Sequence, residues 1–416
     1  MKIVHISAQE IFDSRGIPTI ECEIVLEDGT SVVSSVPSGI SCGMHEAVEL
    51  RDGGDRLMGL GVQKAVQIIE EVIAPVVVGR EPDIVAIDLD LLELDGTDNK
   101  SHLGANTMLA TSSAVCKAQA QVEELAVYEL IANLCHFDAV SLPRPMFNLL
   151  GGGLHAHNNF QIQEMLIVPM EETSFENALD CGVGIYHCLK RILDAKGKST
   201  AVGYEGEFVP QFKDEHEALD TIMEAIEKSG HNKQVMISLD VAASHFYNIE
   251  TGLYTWHGKE VVADYLIDFY RKLIDTYPIY SIEDGLSEVD WTNWAELKDE
   301  LAMRVKIVGD DLFATNPQRI WTGIENDVAT TALIKPNQIG TVTETLQAIT
   351  LCKEHEWDVI VSHRSGETND SFIADLAVGV SASHIKAGGC SRGERMAKYN
   401  RLLQIERQLL SGQIQH

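Results

Sequence analysis

Short apolar runs that each end in an ionisable residue recur through the second half of the chain, and they constrain the fold most strongly. The runs VMISL, IYSI, VKIV, TALI, DVIVS and ASHI lead respectively to Asp240, Glu283, Gly309-Asp310, Lys335, His363 and Lys386. A helical pattern follows each run, and the successive ionisable residues lie 43, 27, 25, 28 and 23 positions apart. A strand, a helix and two loops occupy about this length. The pattern predicts a (β/α)8 barrel, in which the carboxyl ends of the strands converge on one site.

A doubly wound sheet would give a similar alternation of strands and helices. Such sheets concentrate function at one switch point, whereas here six successive strand ends carry ionisable residues. The sequence also has no G-x-x-x-x-G-K-[ST] phosphate loop, and Gly151-Gly152-Gly153 does not fit a dinucleotide-binding turn. The barrel is therefore the favoured interpretation.

The first part of the chain is organised differently. The runs IECEIVL and SVVSSVP, joined by the turn Glu27-Asp28-Gly29, predict antiparallel strands. From about Gly61 to Leu134 the apolar spacing is helical, and the stretch HFDAVSLPRP, with its two prolines, is typical of a linker. We predict an α/β protein with a smaller N-terminal α+β domain over residues 1–135 and a barrel domain over residues 136–416.

The net charge of −31 limits the possible partners of the chain. Such a field repels nucleic acid and anionic membrane surfaces, so we expect neither as a partner. An anionic substrate would be repelled too, unless the site carried its own lysines, arginines or a metal ion.

Location is indicated by what the sequence lacks. No window reaches the roughly 18 uninterrupted apolar residues of a membrane span, and the start MKIVHISAQE has no basic-then-apolar signal pattern. The eight cysteines are scattered, with no Cys-x-x-Cys pair. We predict a cytoplasmic protein with reduced thiols.

Three carboxylates follow neighbouring strands of the predicted barrel. Asp240 and Glu283 come directly after an apolar run, and Asp310 comes one glycine later. Oxygen ligands from three strand ends suit Mg²⁺, a hard cation that keeps positions for water and substrate. The alternative is that each carboxylate is a solvated strand terminus.

Lys335 ends the run ALIK, and Pro336 favours extended backbone at the lysine. A lysine at the mouth of a barrel beside a dication is expected to have its pKa lowered toward the range of a general base. The alternative is an ordinary lysine facing solvent.

Further polar residues could bind or protonate a phosphorylated acid. His363-Arg364-Ser365 offers a guanidinium and a hydroxyl suited to phosphate, and Lys386 could add charge. Glu205, flanked by Gly203 and Gly206, is a candidate acid on a loop. Metal, base, acid and phosphate grip together predict β-elimination of water from a phosphorylated hydroxy acid. His155, Gln163 and Glu164 give weaker signals, because a lone histidine is more often structural.

Ordered motifs along nearly the whole chain resemble the enolase family. They are IFDSRGIPT, VPSGISCGMHEAVELRDGG, LDGTDNKSHLGAN, IQEMLIVPM, SLDVAASHFY, SIEDGLSEVDW, VGDDLFATNP, LIKPNQIGTVTET, SHRSGETNDSFIADLAVG and KYNRLLQIE. The resemblance implies a glycolytic lyase that interconverts 2-phosphoglycerate and phosphoenolpyruvate. It also implies an enolase-type barrel whose first elements run ββαα, two Mg²⁺ ions per subunit, and a homodimer or higher homo-oligomer.

The resemblance also assigns roles to single residues. Lys335 would be the base and Glu205 the acid, with Glu164 beside it. Asp240, Glu283 and Asp310 would hold the first Mg²⁺, and Ser41 the second. Arg364 and Ser365 would hold the phosphate. The substrate would be lined by His155, Gln163, His363 and Lys386, and His363 would also be catalytic. Arg15, in DSRG, would lie at the dimer contact.

Several neighbours of these groups depart from the family pattern. The acid segment, usually Gly-Asp-Glu-Gly-Gly, reads Gly203-Tyr204-Glu205-Gly206-Glu207. Gly151 replaces an asparagine, Cys42 a threonine, and Pro336 an apolar residue. These changes motivate a second hypothesis, a paralogue that acts on a related phosphorylated or phosphono acid. A third is a non-catalytic scaffold, although the ionisable groups of the mechanism are all present.

Overall fold

The computed structural model describes residues 1–39, 43–156, 158–171, 174–231 and 235–413. The N-terminal part contains an antiparallel sheet in the order β1-β2-β3, with bounds β1 Ile3–Phe12, β2 Pro18–Leu26 and β3 Ser31–Ser35. The two strands predicted from IECEIVL and SVVSSVP are confirmed as β2 and β3. β1 was not predicted, because its sequence IVHISAQEIF mixes polar and apolar residues and only two of its positions are buried.

Helices cover one face of this sheet, as the helical spacing predicts. Their bounds are α1 Gln63–Ile68, α2 Ala74–Val77, α3 Ile84–Asp95, α4 Ala105–Val122 and α5 Val127–Leu134. A π-helical turn over Ile69–Ile73 joins the first two. α4 is buried along most of its length, and its many alanines, serines and threonines allow close packing against β2 and β3.

Among the described residues, eleven further strands follow the linker. Their bounds are β4 Arg144–Gly151, β5 Glu164–Pro169, β6 Val235–Asp240, β7 Tyr247–Asn248, β8 Leu253–Trp256, β9 Lys259–Val261, β10 Ile279–Glu283, β11 Lys306–Gly309, β12 Thr331–Ile334, β13 Asp358–Ser362 and β14 His384–Lys386. Eight of them close a barrel in the order β10-β11-β12-β13-β14-β4-β5-β6. The six apolar runs correspond to β6 and β10 to β14, so the predicted barrel with its smaller α+β part is confirmed.

The remaining helices surround the barrel. Their bounds are α6 Phe175–Ala195, α7 Glu215–Ser229, α8 Ala263–Thr276, α9 Trp291–Leu301, α10 Pro317–Glu325, α11 Pro336–Ile339, α12 Val342–Glu354, α13 Phe372–Gly379 and α14 Gly393–Gln413. Two helices, α6 and α7, separate β5 from β6, which gives the ββαα start that the resemblance implied. In the described part of the chain, no helix is both long and apolar enough to cross a bilayer.

Strand polarity and register place the polar residues at one end of the barrel. β5 runs antiparallel to β4 and β6, so its first residue, Glu164, pairs with Asp240, the last residue of β6. Asp240 in turn pairs with Glu283 across β6 and β10. An apolar cluster that includes Leu166, Val308 and Leu333 fills the barrel interior. The polar residues lie together at the carboxyl ends of the parallel strands, as in other barrels of this class.

Candidate active site

A polar cavity at the carboxyl ends of the parallel strands brings most of the predicted site residues together. It is lined by His155, Gln163, Glu164, Glu205, Asp240, Ala242, Asp284, Asp310, Asp311, Lys335, Ser362, His363, Arg364, Ser365 and Lys386. Glu283 is bonded to the lining residue Lys386 and so belongs to the same cluster. Ser41 and Cys42 lie outside the described residues.

The three predicted metal ligands lie close to the two site lysines. Lys386 Nζ donates to Asp240 Oδ2 at 2.8 Å and to Glu283 Oε1 at 2.8 Å. Burial and the neighbouring charge of Asp240 raise the pKa of Glu283 well above its ordinary value, although Lys386 opposes the shift. Asp310 instead pairs with Lys335.

Two further carboxylates belong to this cluster and were missed in the sequence. Asp284 and Asp311 follow directly after Glu283 and Asp310, and oxygens of Asp284, Asp310 and Asp311 all lie within 4.8 Å of one another. Asp284 accepts the backbone N–H groups of Asp310 at 2.9 Å and of Asp311 at 2.8 Å. The doubled acids in IEDG and GDD were the signal that could have revealed them.

The donor set fits a divalent cation. Glu164, Glu283 and Asp284 are each at most 4% exposed, and Asp240, Asp310 and Asp311 are also buried. The lysines Lys335 and Lys386 cannot neutralise all of these groups. Burying unneutralised carboxylates costs several kcal/mol each, so a bound dication would relieve a real electrostatic penalty.

Lys335 is paired with a carboxylate. Burial is the largest single influence and favours the neutral amine, but the surrounding carboxylates, with Asp310 first, together raise the pKa of Lys335. The predicted lowering of the pKa supposes a dication beside the lysine, so for the metal-bound site it stays a prediction. The nearest partner of the ammonium is a buried carboxylate, whereas the prediction considered only a neighbouring dication.

Glu205 lies beside β4, close to one amide donor and two histidine rings. Asn148 Nδ2, on β4, donates to Glu205 Oε2 at 3.2 Å. His155 Nε2 lies 3.9 Å from Glu205 Oε1, and His363 Nε2 lies 3.6 Å from Glu205 Oε2. Burial alone would raise the pKa of Glu205, but the histidines and nearby cations outweigh it and lower the pKa.

Glu164 shows the opposite behaviour. One oxygen of Glu164, one oxygen of Glu205 and one ring nitrogen of His155 all lie within 4.8 Å of one another. Burial and repulsion from Glu205 raise the pKa of Glu164 well above its ordinary value. Of the two carboxyl groups, Glu164 is therefore the one whose surroundings favour the protonated form.

Arg395, on α14, was missed in the sequence although it organises both halves of the site. Its fully buried guanidinium donates to His363 Nδ1 at 2.5 Å, which leaves the proton of the neutral ring on Nε2, facing Glu205. It also donates to the carbonyl oxygens of Tyr204 at 2.9 Å and Ser365 at 2.7 Å. An arginine within a helical pattern gave no local signal.

The predicted phosphate grip is built from Arg364 and Ser365 in the loop after β13. The guanidinium of Arg364 is buried and paired with Glu46, which lies between β3 and α1. Arg15 packs against Gly366 and pairs with Asp13 at 2.8 Å within its own chain. Its predicted place at a dimer contact stays a prediction.

Tyr204 and Glu207, two departures from the family pattern, differ in burial. The Tyr204 side chain is 46% exposed, so it does not narrow the cavity. Glu207 is fully buried, yet it is absent from the residues that line the cavity. Glu207 therefore does not line the space that a substrate would occupy.

Comparisons with known proteins agree with this geometry. The model of the family described as "Enolase, C-terminal TIM barrel domain" matches residues 139–415, and that of "Enolase, N-terminal domain" matches residues 3–131. The chain belongs to the enolase family. A curated protein named Enolase, from Natranaerobius thermophilus, is 49% identical over 410 residues, covering 98% of this chain and 95% of its own length.

Membership of the enolase family supports the predicted enzyme class. The chain is a lyase of the phosphopyruvate hydratase type, acting in glycolysis in the dehydration of 2-phosphoglycerate. The alternative of a paralogue for a related phosphorylated or phosphono acid is not favoured. The family also implies a divalent metal and a small phosphorylated substrate, in agreement with the acidic clusters described above.

Proposed function

We propose that this enolase catalyses the reversible, Mg²⁺-dependent dehydration of 2-phospho-D-glycerate to phosphoenolpyruvate, with Lys335 as base and Glu205 as acid. The observation that carries these roles is the separation of the two groups within one cavity. Lys335 directly follows β12 and lies beside Asp310, whereas Glu205 contacts Asn148 of β4. In the barrel, β13 and β14 lie between β12 and β4. Base and acid can thus act on different atoms of one substrate.

Asp240, Glu283 and Asp310 would hold the first Mg²⁺, and Ser41 would serve the second of two ions per subunit. Bound Mg²⁺ supplies the positive charge that stabilises a carboxylate dianion after proton removal. Asp284 orients this set, because it holds the backbone of Asp310 and Asp311 in place.

Lys335 acts as a base only in its neutral form. Burial already favours the neutral amine, and the charge of Asp310 opposes it. Any weakening of the pair between Lys335 and Asp310 therefore lowers the pKa of the amine and frees it to take the proton from carbon 2.

The pair of Glu164 and Glu205 supplies the proton for the leaving hydroxyl. The surroundings of Glu164 favour its protonated form, and Nε2 of His363 lies 3.6 Å from Glu205 Oε2. That proton can move to the carboxylate nearest the hydroxyl as that oxygen gains charge. His155 lines the same cavity, with its Nε2 atom 3.9 Å from Glu205 Oε1.

Substrate recognition is assigned to the remaining groups. Arg364 and Ser365 bind the phosphate, and Gln163, Lys386 and His155 line the substrate. We further propose a division of the chain at residues 135 and 136, a cytoplasmic location, a homodimer or higher homo-oligomer, and no nucleic-acid or membrane partner. The high net negative charge supports the last point.

A steady-state assay tests the proposed function directly. Wild-type protein with 2-phosphoglycerate and Mg²⁺ should raise the absorbance of the enol product, and a chelator should abolish the change. Absence of turnover by folded, metal-loaded protein would refute the proposal. Metal titration by calorimetry separates an enzyme from a scaffold, which has no need to bind Mg²⁺.

A further inference from the structure

Gly151 and Glu207, two residues that depart from the enolase pattern, lie against each other. A Cβ placed on Gly151 would lie 2.8 Å from Glu207 Cγ and 2.9 Å from Glu207 Oε1. Such contacts are too short for a real side chain, so the carboxyl group of Glu207 occupies the space that a residue at 151 would need. The family pattern has asparagine at 151 and glycine at 207. Here the polar side chain comes from the other position.

The turn that carries Glu207 packs against the end of β4. Gly203 N donates to Glu207 O at 2.8 Å, closing the turn. Phe208, the next residue, forms bridges with Val202 and with Leu150 of β4. A change at the end of β4 is therefore transmitted directly to the turn that holds the acid.

The carboxyl group of Glu207 is bonded to the main chain of the acid. Glu207 Oε2 accepts the backbone N–H of Glu205 at 2.9 Å, and the carbonyl oxygen of Glu205 accepts from Gly389 N at 2.8 Å. Both the backbone N–H and the backbone C=O of Glu205 are thus hydrogen-bonded. Glu207 Oε1 is buried and makes no hydrogen bond to any other described residue.

We propose that Glu207 is a positioning residue for the acid, and that Gly151 and Glu207 act as an exchanged pair. The carboxyl group of Glu207 fills the space beside Gly151 and fixes the N–H of Glu205, so it sets where the Glu205 carboxyl group lies. The inference rests on the proposed function, because Glu205 is the group that protonates the leaving hydroxyl.

The electrostatic surroundings suit this role. Burial and the charge of Glu205 raise the pKa of Glu207 to about 8, although Arg395 of α14 opposes the shift. Tyr186, on α6, is a further titratable group that faces Glu207. Near neutral pH the carboxyl group is therefore mostly uncharged. An uncharged carboxyl resembles an amide in size and polarity, and so it can take the place of an asparagine.

Four variants test the exchange. Glu207→Gly and Gly151→Asn are each expected to lower kcat on 2-phosphoglycerate roughly tenfold to a hundredfold, with KM changed by less than about threefold. The double variant Gly151→Asn/Glu207→Gly is expected to return kcat to within about threefold of wild type. Glu207→Gln keeps an oxygen acceptor and should retain more turnover than Glu207→Gly.

Tyr204→Ala is the matched control, because it changes the same turn at a half-exposed side chain. It should leave kcat within about twofold of wild type, as expected for a surface residue. Melting temperatures of all variants form a second cycle, which measures the coupling of the pair without relying on turnover. The double variant should melt higher than the sum of the two single changes predicts.

The outcomes separate this inference from the proposed function. An inactive wild-type protein would refute the function, and the melting cycle would still decide whether the two positions are coupled. An active wild-type protein whose Glu207→Gly variant keeps full kcat would overturn the positioning role. Strictly additive effects of the two substitutions would overturn the exchange. If Gly151→Asn fails to fold, the kcat of the double variant decides.

Discussion

The guanidinium of Arg364 binds both carboxylate oxygens of Glu46, with Nη1–Oε2 at 2.8 Å and Nη2–Oε1 at 3.1 Å. Both side chains are buried, so the pair is shielded from solvent. A bidentate carboxylate uses the donors of an arginine that a phosphate would also use. If Arg364 binds the substrate phosphate as we propose, Glu46 would compete with that phosphate for its donors.

Removing the charge of Glu46 should favour substrate binding. We expect Glu46→Gln to lower the KM for 2-phosphoglycerate by roughly threefold to tenfold, because substrate no longer has to displace a carboxylate. Steady-state kinetics at fixed Mg²⁺ measures the change. An unchanged or raised KM would mean that Glu46 leaves Arg364 before substrate arrives, or that it helps to hold the substrate.

Lys335→Ala should remove turnover and leave the fold intact. A general base contributes about a hundredfold to ten-thousandfold in rate, and we expect a loss of kcat in this range or beyond. Lys306→Ala is the matched control, since Lys306 forms a partly exposed ion pair with Asp358 away from the cavity. Residual activity of Lys335→Ala above one tenth of wild type would contradict the assignment of the base.

Arg395→Gln should damage stability and catalysis together. It would leave the carbonyl oxygens of Tyr204 and Ser365 without their buried donor, at a cost of about 1–3 kcal/mol for each unsatisfied group. It would also release the ring of His363, so the pH profile of kcat should shift as well as its height. A melting curve and a pH–rate profile measure both effects. A lower melting temperature with an unchanged pH profile would show that Arg395 has only a structural role.

Glu207 should make the stability of the protein fall as pH rises. The unfolded chain loses this proton near the ordinary value of 4.5, whereas the folded chain, with the pKa raised to about 8, keeps it. Between these values the folded state binds more protons, so stability from this group decreases toward pH 8. Glu207→Gln removes this dependence. The melting temperature of the variant, relative to wild type, should therefore rise by a few degrees between pH 5.5 and pH 8.5.

Metal binding should depend on the carboxylates at the strand ends. Asp240→Asn is expected to weaken Mg²⁺ binding, measured by calorimetry, at least about tenfold. Mg²⁺ should also raise the melting temperature of wild type, because a ligand that binds only the folded state stabilises it. Asp264→Asn, at the start of α8, is a suitable control because Asp264 lies on the exposed helix surface. Equal affinity in Asp240→Asn and wild type would remove Asp240 from the metal site.

The sequence determined the barrel and most of its functional end. Parallel strands buried on both faces give short apolar runs, and the residue after each run must lie at the same end of the barrel. The local pattern alone therefore placed Asp240, Glu283 and Lys335 at this end of the barrel. β5 could not, because EMLIVP gives no sign of strand direction, and its antiparallel course is what brings Glu164 to the site.

Which charged groups face each other could be seen only in the folded chain. Lys386 lies between Asp240 and Glu283, and Asp310 raises the pKa of Lys335 where a lowered value was expected. The segment Gly-Tyr-Glu-Gly-Glu gave no indication that its last carboxyl group turns inward against Gly151. Periodicity records whether a side chain is buried, but a pKa depends on distances to groups far away in the chain. Those distances exist only once the barrel has closed.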